Sequence, residues 1–389
     1  MTRILFLSEK FPPDIGGLSS SSERISRRLA ELNYDVDVLA WSRHLPAAKL
    51  AEQKLEGQHE RLRIQRLGLY RQWDMSLPAT MNVLEWLHQK FKYDAIWGHY
   101  LSTAGFLAVW FARMHGIKSI VSARGNDIDT EVFPPGDFSR LAWTLEKADC
   151  ITAVSKDLAY KIKLISGRND VQVLANAVDS RVFAAPEEQA ISLKEKLGIV
   201  PEELVLGFAG ELREKKGIQF LFDAFRMLRS ERPACLLVIG DIRSQQRPAV
   251  QLFKAEFPDD ASRLIITGHI ENQNSVAEHL SLCDLYLQPS LMEGMPNALL
   301  EAMACGALCI ASDAGGIPEI IQHGKTGFML PKAELNHLGT AALEALSLKK
   351  EEREAICNEA RLTVQNKFSP EIESSQLKAL LERLLTTNS

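Results

Sequence analysis

The chain has 389 residues, too many for one ordinary core and enough for two domains of α/β size. Hydrophobic residues make up 46% and charged residues 24%, as in a soluble globular protein, and a formal net charge of −5 argues against a general nucleic-acid binder. Six scattered cysteines (Cys150, Cys235, Cys283, Cys305, Cys309 and Cys357) form no C-x2-C pair, which points to buried, reduced thiols in a cytoplasmic compartment.

In chain order, residues 4–7 read as a short buried strand, their apolar run being too short for a signal peptide. A loop with Gly16-Gly17 and a serine-rich entry lead to a helix over 22–32, and 34–40 alternate as the next strand. The basic stretch 44–71, with His44, Lys49, Lys54, Arg61, Arg63, Arg66 and Arg71, reads as a solvated helix and strand edge. Further strands are predicted at 94–97, 119–122, 150–154 and 171–174, with helical patterns between them. The longest apolar run, around 104–112, is shorter than a membrane span and is followed by Arg113 and His115.

The alternation breaks at Leu174 to Asp179 and passes through a polar helix at about 191–197, so a linker is expected near 176–203. It resumes with strands at 204–209, 236–239, 263–267, 285–288 and 309–311, and a last helix covers about 370–385. Such alternation predicts an α/β chain of two doubly wound, Rossmann-like domains, with ligands at the C-terminal strand ends in a shared cleft. The expected domains are 1–180 and 181–370, followed by a helical segment 371–389.

The most informative stretch is 289–319, PSLMEGMPNALLEAMACGALCIASDAGGIPE. Glu293 and Glu301 bracket a loop with Gly294 and Pro296 and a small-residue helix that stops at Gly306. Pro296 suits a helix's first turn because its missing N–H is not needed there, so the amides around it, those of Met295, Asn297 and Ala298, form an anion site. Glu301 leans back toward the helix N-terminus and can accept from ribose hydroxyls while the loop amides hold a diphosphate. A Glu-x7-Glu spacing alone often arises by chance. Pro289-Ser290, Glu293-Gly294, Asn297, Glu301-Ala302, Gly306 and Gly315-Gly316-Ile317-Pro318-Glu319 together resemble the donor-site signature of retaining GT-B glycosyltransferases, the glycosyl transferases group 1 class (family 4).

That resemblance implies a GT-B fold, with an acceptor-side first domain, a nucleotide-sugar donor domain and a terminal helix crossing back to the first. It also implies transfer of a sugar from a UDP-, GDP- or ADP-sugar to a hydroxyl with retention, in polysaccharide, glycolipid or cell-surface glycan synthesis. Lys216, before Gly217, matches the family's cation on the leaving diphosphate, while Glu211 stands where a second cation is usual and Arg213 is the candidate replacement. Glu293 would hold sugar hydroxyls. Gly16-Gly17 resembles the glycine loop over the diphosphate; alone, the pair reads only as a turn.

His99 and Arg124, at the ends of two strands, are candidate sugar-contacting residues, and Arg124 replaces the histidine of the family's His-Gly-x-Asp motif. Asp35-x-Asp37 and Asp127-x-Asp129 have a metal-binding spacing, but lysine and helix amides can take a cation's place, so no essential metal or other cofactor is expected. The expected acceptor is a carbohydrate, a lipid-linked sugar or a small molecule, with peripheral contact at the inner membrane face among the family's habits. The rivals are a sugar-nucleotide epimerase or phosphorylase on this scaffold, and a non-catalytic nucleotide-sugar binding subunit, which the Glu211 and Arg124 departures favour.

Overall fold

The computed structural model describes residues 2–129, 135–184 and 187–386. They form two compact units by contact, one reaching to Ala175 and resuming at Glu373, the other running from Asn176 to Ile372. The first contains eight strands: β1 (Arg3–Ser8), β2 (Asp35–Ser42), β3 (Leu50–Gln53), β4 (Leu62–Gly68), β5 (Ala95–His99), β6 (Lys118–Ala123), β7 (Cys150–Ala153) and β8 (Gln172–Val173). Their order in the sheet is β3-β4-β2-β1-β5-β6-β7-β8, parallel except for β3. Strand β1 shows why both faces are covered: Ile4 and Phe6 join one buried cluster, while Leu5 and Leu7 join another.

The second unit has six parallel strands in the order β11-β10-β9-β12-β13-β14. They are β9 (Leu204–Ala209), β10 (Ala234–Ile239), β11 (Leu264–Ile266), β12 (Leu285–Gln288), β13 (Leu308–Ser312) and β14 (Phe328–Leu330). An apolar cluster joins Phe208, Leu236 and Leu285 of the strands to Leu221 and Phe225 of the helix Ile218–Glu231.

Several local expectations are corrected. The helix predicted over 22–32 is Gly17–Glu31, so its serines lie inside the first turns. Ser21 and Ser22 donate to the Leu18 carbonyl at 3.0 and 2.8 Å, a back-bonding that lets serine sit in a helix. The basic stretch 44–71 contributes β3 and β4, and three of its arginines are ion-paired within the first unit. Arg61 pairs with Asp35, Arg63 with Asp37, and Arg66 with Asp14 at 2.8 Å, so strand-edge carboxylates take up much of this charge. Asp35 and Asp37 thus serve ion pairs. Strand β14 escaped the sequence reading because three residues carry too little periodicity. The polar helix expected within the linker is present as Glu187–Lys196, and the contact boundary falls at Ala175.

The last helix, Pro370–Thr386, sends Leu377, Leu380, Leu381 and Leu384 into the first unit's core. Their spacing is that of one helix face. Leu381→Ala leaves a cavity in a fully buried site and is expected to destabilise the first unit by about 2–5 kcal/mol. Urea unfolding followed by circular dichroism measures this.

Candidate functional site

In the second unit, backbone contacts gather the motifs that are far apart in sequence. Strands β9 and β12 are neighbours, with Leu206 opposite Leu285 and Gly207 opposite Tyr286, so the loops after them emerge side by side. The Leu291 amide donates to the Lys215 carbonyl at 2.8 Å, and the Gly316 amide to the Gly294 carbonyl at 2.9 Å. Close approach explains two glycines. A Cβ on Gly217 would lie 1.9 Å from the Pro289 carbonyl oxygen, and one on Gly315 1.8 Å from that of Glu293. Both glycines also have positive φ, 70° and 53°.

Lys216 and Glu293 meet inside this junction, Nζ to Oε1 at 2.5 Å. Glu293 is buried, and Oε1 also accepts from Ser290 Oγ at 2.7 Å and Gln288 Nε2 at 2.9 Å. Tyr286 donates its hydroxyl to Gln288 Oε1 at 2.7 Å, which fixes the amide's orientation. Burial alone would raise the Glu293 carboxyl, but the Lys216 ammonium, with Ser290 and Lys215, outweighs it and holds the group below the usual carboxylate range. Of the ammonium's three protons, one goes to Glu293 and two remain for an incoming anion.

The helix predicted after Pro296 runs from Asn297 to Cys305 with Pro296 as its N-cap, φ −75° and ψ 114°. This corrects the expectation that proline occupies the first turn. The amides without helical acceptors are therefore those of Asn297, Ala298 and Leu299 rather than a set starting at Met295. The N-terminus has no side-chain cap and no acidic residue in its first turn, and so keeps its affinity for an anion. Asn297 Oδ1 is buried without a partner, and Glu301 stands one turn further on, half-buried. Gly294 and Ala298 are half-buried, and Met295 and Pro296 buried.

Arg213, the expected second cation, is bound to Glu211, Nε to Oε2 at 2.5 Å. The departure at Glu211 thus places a carboxylate on the residue expected to replace the missing charge. Sequence reasoning also missed Asn176, buried, whose side-chain amide donates to the Met295 carbonyl at 2.8 Å and steadies the loop from the far side. Gln288 offered a signal, being the one polar residue of an otherwise apolar strand.

In the first unit, Gly16 is the N-cap of the helix Gly17–Glu31, with φ 124°, and a Cβ on Gly16 or Gly17 would meet nothing within 4 Å. The protein's own packing therefore does not require glycine at position 17. His99 ends β5, fully buried, with Nε2 2.9 Å from Ser21 Oγ. Burial first, then the Arg124 and Arg24 charges, push its pKa well below the usual value, so the ring is neutral at pH 7. Arg124 follows β6. Burial and Arg24 push its guanidinium down to about 9, opposed by Glu373 and Asp127.

Asp127 accepts from the backbone amides of Arg124, Gly125 and Leu101, and Asp129 pairs with Lys161 at 2.7 Å. The Asp-x-Asp spacing here thus stitches a loop and anchors a helix. Among the described residues no group of three or more His, Cys, Asp or Glu could hold a metal ion. After β5 the chain makes a π-type turn, Leu101–Gly105, with Tyr100 at φ 105°. Near this turn lies Glu9, which sequence reasoning also missed; its Oε1 is buried without a hydrogen-bond partner, and the Ala104 and Thr103 amides favour its charged form. Burial nevertheless raises the Glu9 carboxyl from 4.5 to about 7.

The comparisons agree with this geometry. Residues 16–177 match the family model for a glycosyl transferase 4-like domain, and residues 203–347 the model for glycosyl transferases group 1. The N-acetyl-alpha-D-glucosaminyl L-malate synthase of Bacillus anthracis is 31% identical over 315 residues, 80% of this chain and 79% of that one. The GDP-mannose-dependent monoacylated alpha-(1-6)-phosphatidylinositol monomannoside mannosyltransferase of Corynebacterium glutamicum is 24% identical over 392 residues, 98% of each. Among solved structures, sucrose-phosphate synthase from Thermosynechococcus elongatus matches with a TM-score of 0.84 at 20% identity over 100% of both chains. HepE of Anabaena in complex with UDP-glucose gives 0.80 at 19%, over 98% of this chain and 100% of that one.

Two Rossmann-like, parallel-sheet units of this kind define the GT-B fold. The chain belongs to the group 1 glycosyl transferases, and is a glycosyltransferase. No described helix is long and apolar enough to cross a membrane.

Two outcomes are expected. Gly315→Ala, which forces a Cβ into the Glu293 carbonyl at a left-handed φ, should destabilise the second unit by about 1–3 kcal/mol, read as a lower melting temperature. Because Glu9 titrates higher folded than unfolded, its contribution is complete below pH 4.5 and is lost as pH rises through about 7. The wild type should therefore lose stability between about pH 5 and 8 relative to Glu9→Gln, as measured by urea titrations across that range.

Proposed function

We propose that this chain transfers a sugar from a nucleoside-diphosphate sugar to a hydroxyl acceptor with retention at the anomeric carbon, in glycan or glycolipid synthesis. The observation that carries the reading is the junction of Lys216, Glu293 and the uncapped N-terminus of the helix Asn297–Cys305. Three helix amides and two ammonium protons form a preorganised receptor for a diphosphate whose negative charge grows as the glycosidic bond breaks. This receptor supplies the positive charge without a metal.

Within this reading, Glu293 holds sugar hydroxyls and Glu301 accepts from the ribose hydroxyls. In the first unit, Gly16 and Gly17 leave bare backbone that a ligand can approach, which accounts for a glycine that packing does not require. The leaving phosphate takes the acceptor's proton on the same face of the sugar, so the configuration is kept. The Arg213–Glu211 pair removes Arg213 from the leaving-group machinery and places the catalytic load on Lys216. Relatives named for a malate product, for GDP-mannose and for UDP-glucose span several donors and acceptors, consistent with a shared scaffold for activated sugars.

The test is calorimetric titration with UDP, GDP and ADP, followed by turnover with the sugar conjugate of the base that binds. Glu301→Ala should weaken nucleotide binding about 10- to 100-fold. Lys216→Ala should lower kcat by about 100- to 1000-fold with less effect on sugar affinity. Arg213→Ala should change kcat far less. Absence of binding by all three nucleotides, or an inverted anomeric product by NMR, would overturn the assignment.

A further inference from the structure

The second unit has a cavity of about 500 Å³ at the opposite end of its strands from the junction of Lys216 and Glu293. The helix Lys350–Lys367 lines one side, and residues at the N-terminal ends of β12 and β13 line the other. Such a volume suits a small-molecule ligand. The helix Asn297–Cys305 separates the two places: its N-terminus belongs to the junction, and Gly306, just past its C-terminus, lines the cavity. Nine helical residues span about 13 Å, so the cavity is distinct from the proposed diphosphate site.

Arg353 stands on the face that its helix turns toward the protein. Cys357, four residues on, is half-buried, and Ala360 and Val364 are buried. An apolar side chain would suit such a position. Arg353 is half-buried instead, and among the described residues its side chain makes no hydrogen bond or ion pair. Of the two carboxylates that line the cavity, Glu354 pairs with Lys350 at 3.8 Å, and Asp284 Oδ2 accepts from the Val205 amide at 2.8 Å.

Arg361 is the second observation. Its Nη2 donates to the Cys305 carbonyl at 2.9 Å, its one side-chain hydrogen bond among the described residues, so most of the guanidinium's five N–H groups are left over. Gly306 makes room for this arginine: a Cβ there would lie 2.1 Å from Nη2, on a backbone with φ 82°. Arg353, Cys357 and Arg361 are spaced four apart in a row along the helix. Burial pushes the Cys357 thiol up while Arg361 and Arg353 pull against it, so the sulfur stands within the field of both charges. Their backbone positions are about 12 Å apart along the axis, and a ligand that answers both cations needs negative charge at two points.

We propose that this cavity binds a small organic molecule carrying two anionic groups, one taken by Arg353 and the other by Arg361. Phosphate and carboxylate both match the guanidinium fork.

The test is alkylation of the full chain by N-ethylmaleimide, read by mass spectrometry at Cys357, the one cysteine of the six that is not buried. Fructose 1,6-bisphosphate or citrate should slow the reaction at concentrations about ten-fold or more below those that inorganic phosphate requires, and fructose should not slow it. Protection by the bisphosphate alone assigns phosphate groups to the ligand, and protection by citrate alone assigns carboxylates. Arg353→Gln should abolish the protection and Arg353→Lys should keep part of it, with alkylation still confined to Cys357 as the sign that both variants fold. Lys216→Ala should leave the protection unchanged. Absence of protection by both polyanions, equal protection by inorganic phosphate, protection undiminished in Arg353→Gln, or its loss in Lys216→Ala overturns the proposal.

Discussion

The pair of half-buried Lys216 and buried Glu293 is the constraint around which the strand ends of the second unit are arranged. Removing two charges from water is costly, and their mutual attraction offsets that cost only when the remaining hydrogen-bonding capacity is met. Here Ser290 and Gln288 add two donors to the same carboxylate oxygen, and Tyr286 holds Gln288 in place. Such a pair needs two chain segments at close quarters. Adjacent parallel strands β9 and β12 provide them, and Gly217 and Gly315 let the backbones approach without side-chain interference.

The first unit handles negative charge in the opposite way. There, carboxylates are turned inward to satisfy the backbone. Asp127 accepts from the Leu101 amide at the start of the π-type turn after β5, and from the amides of Arg124 and Gly125. The second unit instead combines the Lys216 ammonium with the uncapped amides of the helix Asn297–Cys305.

Much of this was legible in the sequence because it rests on local rules. Alternation of apolar strands with helices predicted two parallel sheets, and the Glu293 to Glu319 stretch carried the resemblance to the family to which the chain belongs. What escaped depended on contacts between distant residues. The pairing of Arg213 with Glu211 cannot be inferred from a two-residue spacing, which places both side chains on one side but does not say whether they repel ligands or bind each other. Asn176 looked like linker because its partner, Met295, is far along the chain. Pro296 was misplaced by one position because a proline at the N-cap and one in the first turn obey the same φ restriction. Glu9 carried no pattern at all, and its role depends on an irregular turn that propensity does not foresee.

The helix Pro370–Thr386 makes the first unit discontinuous in sequence. Its Leu377 and Leu381 fill a core whose other walls are drawn from the first 175 residues. On the ribosome, those walls emerge long before the helix that closes them, and the whole second unit is synthesised in between. The nascent first unit must therefore wait with an apolar groove uncovered, so chaperone dependence during synthesis should concentrate on the half of the chain made first.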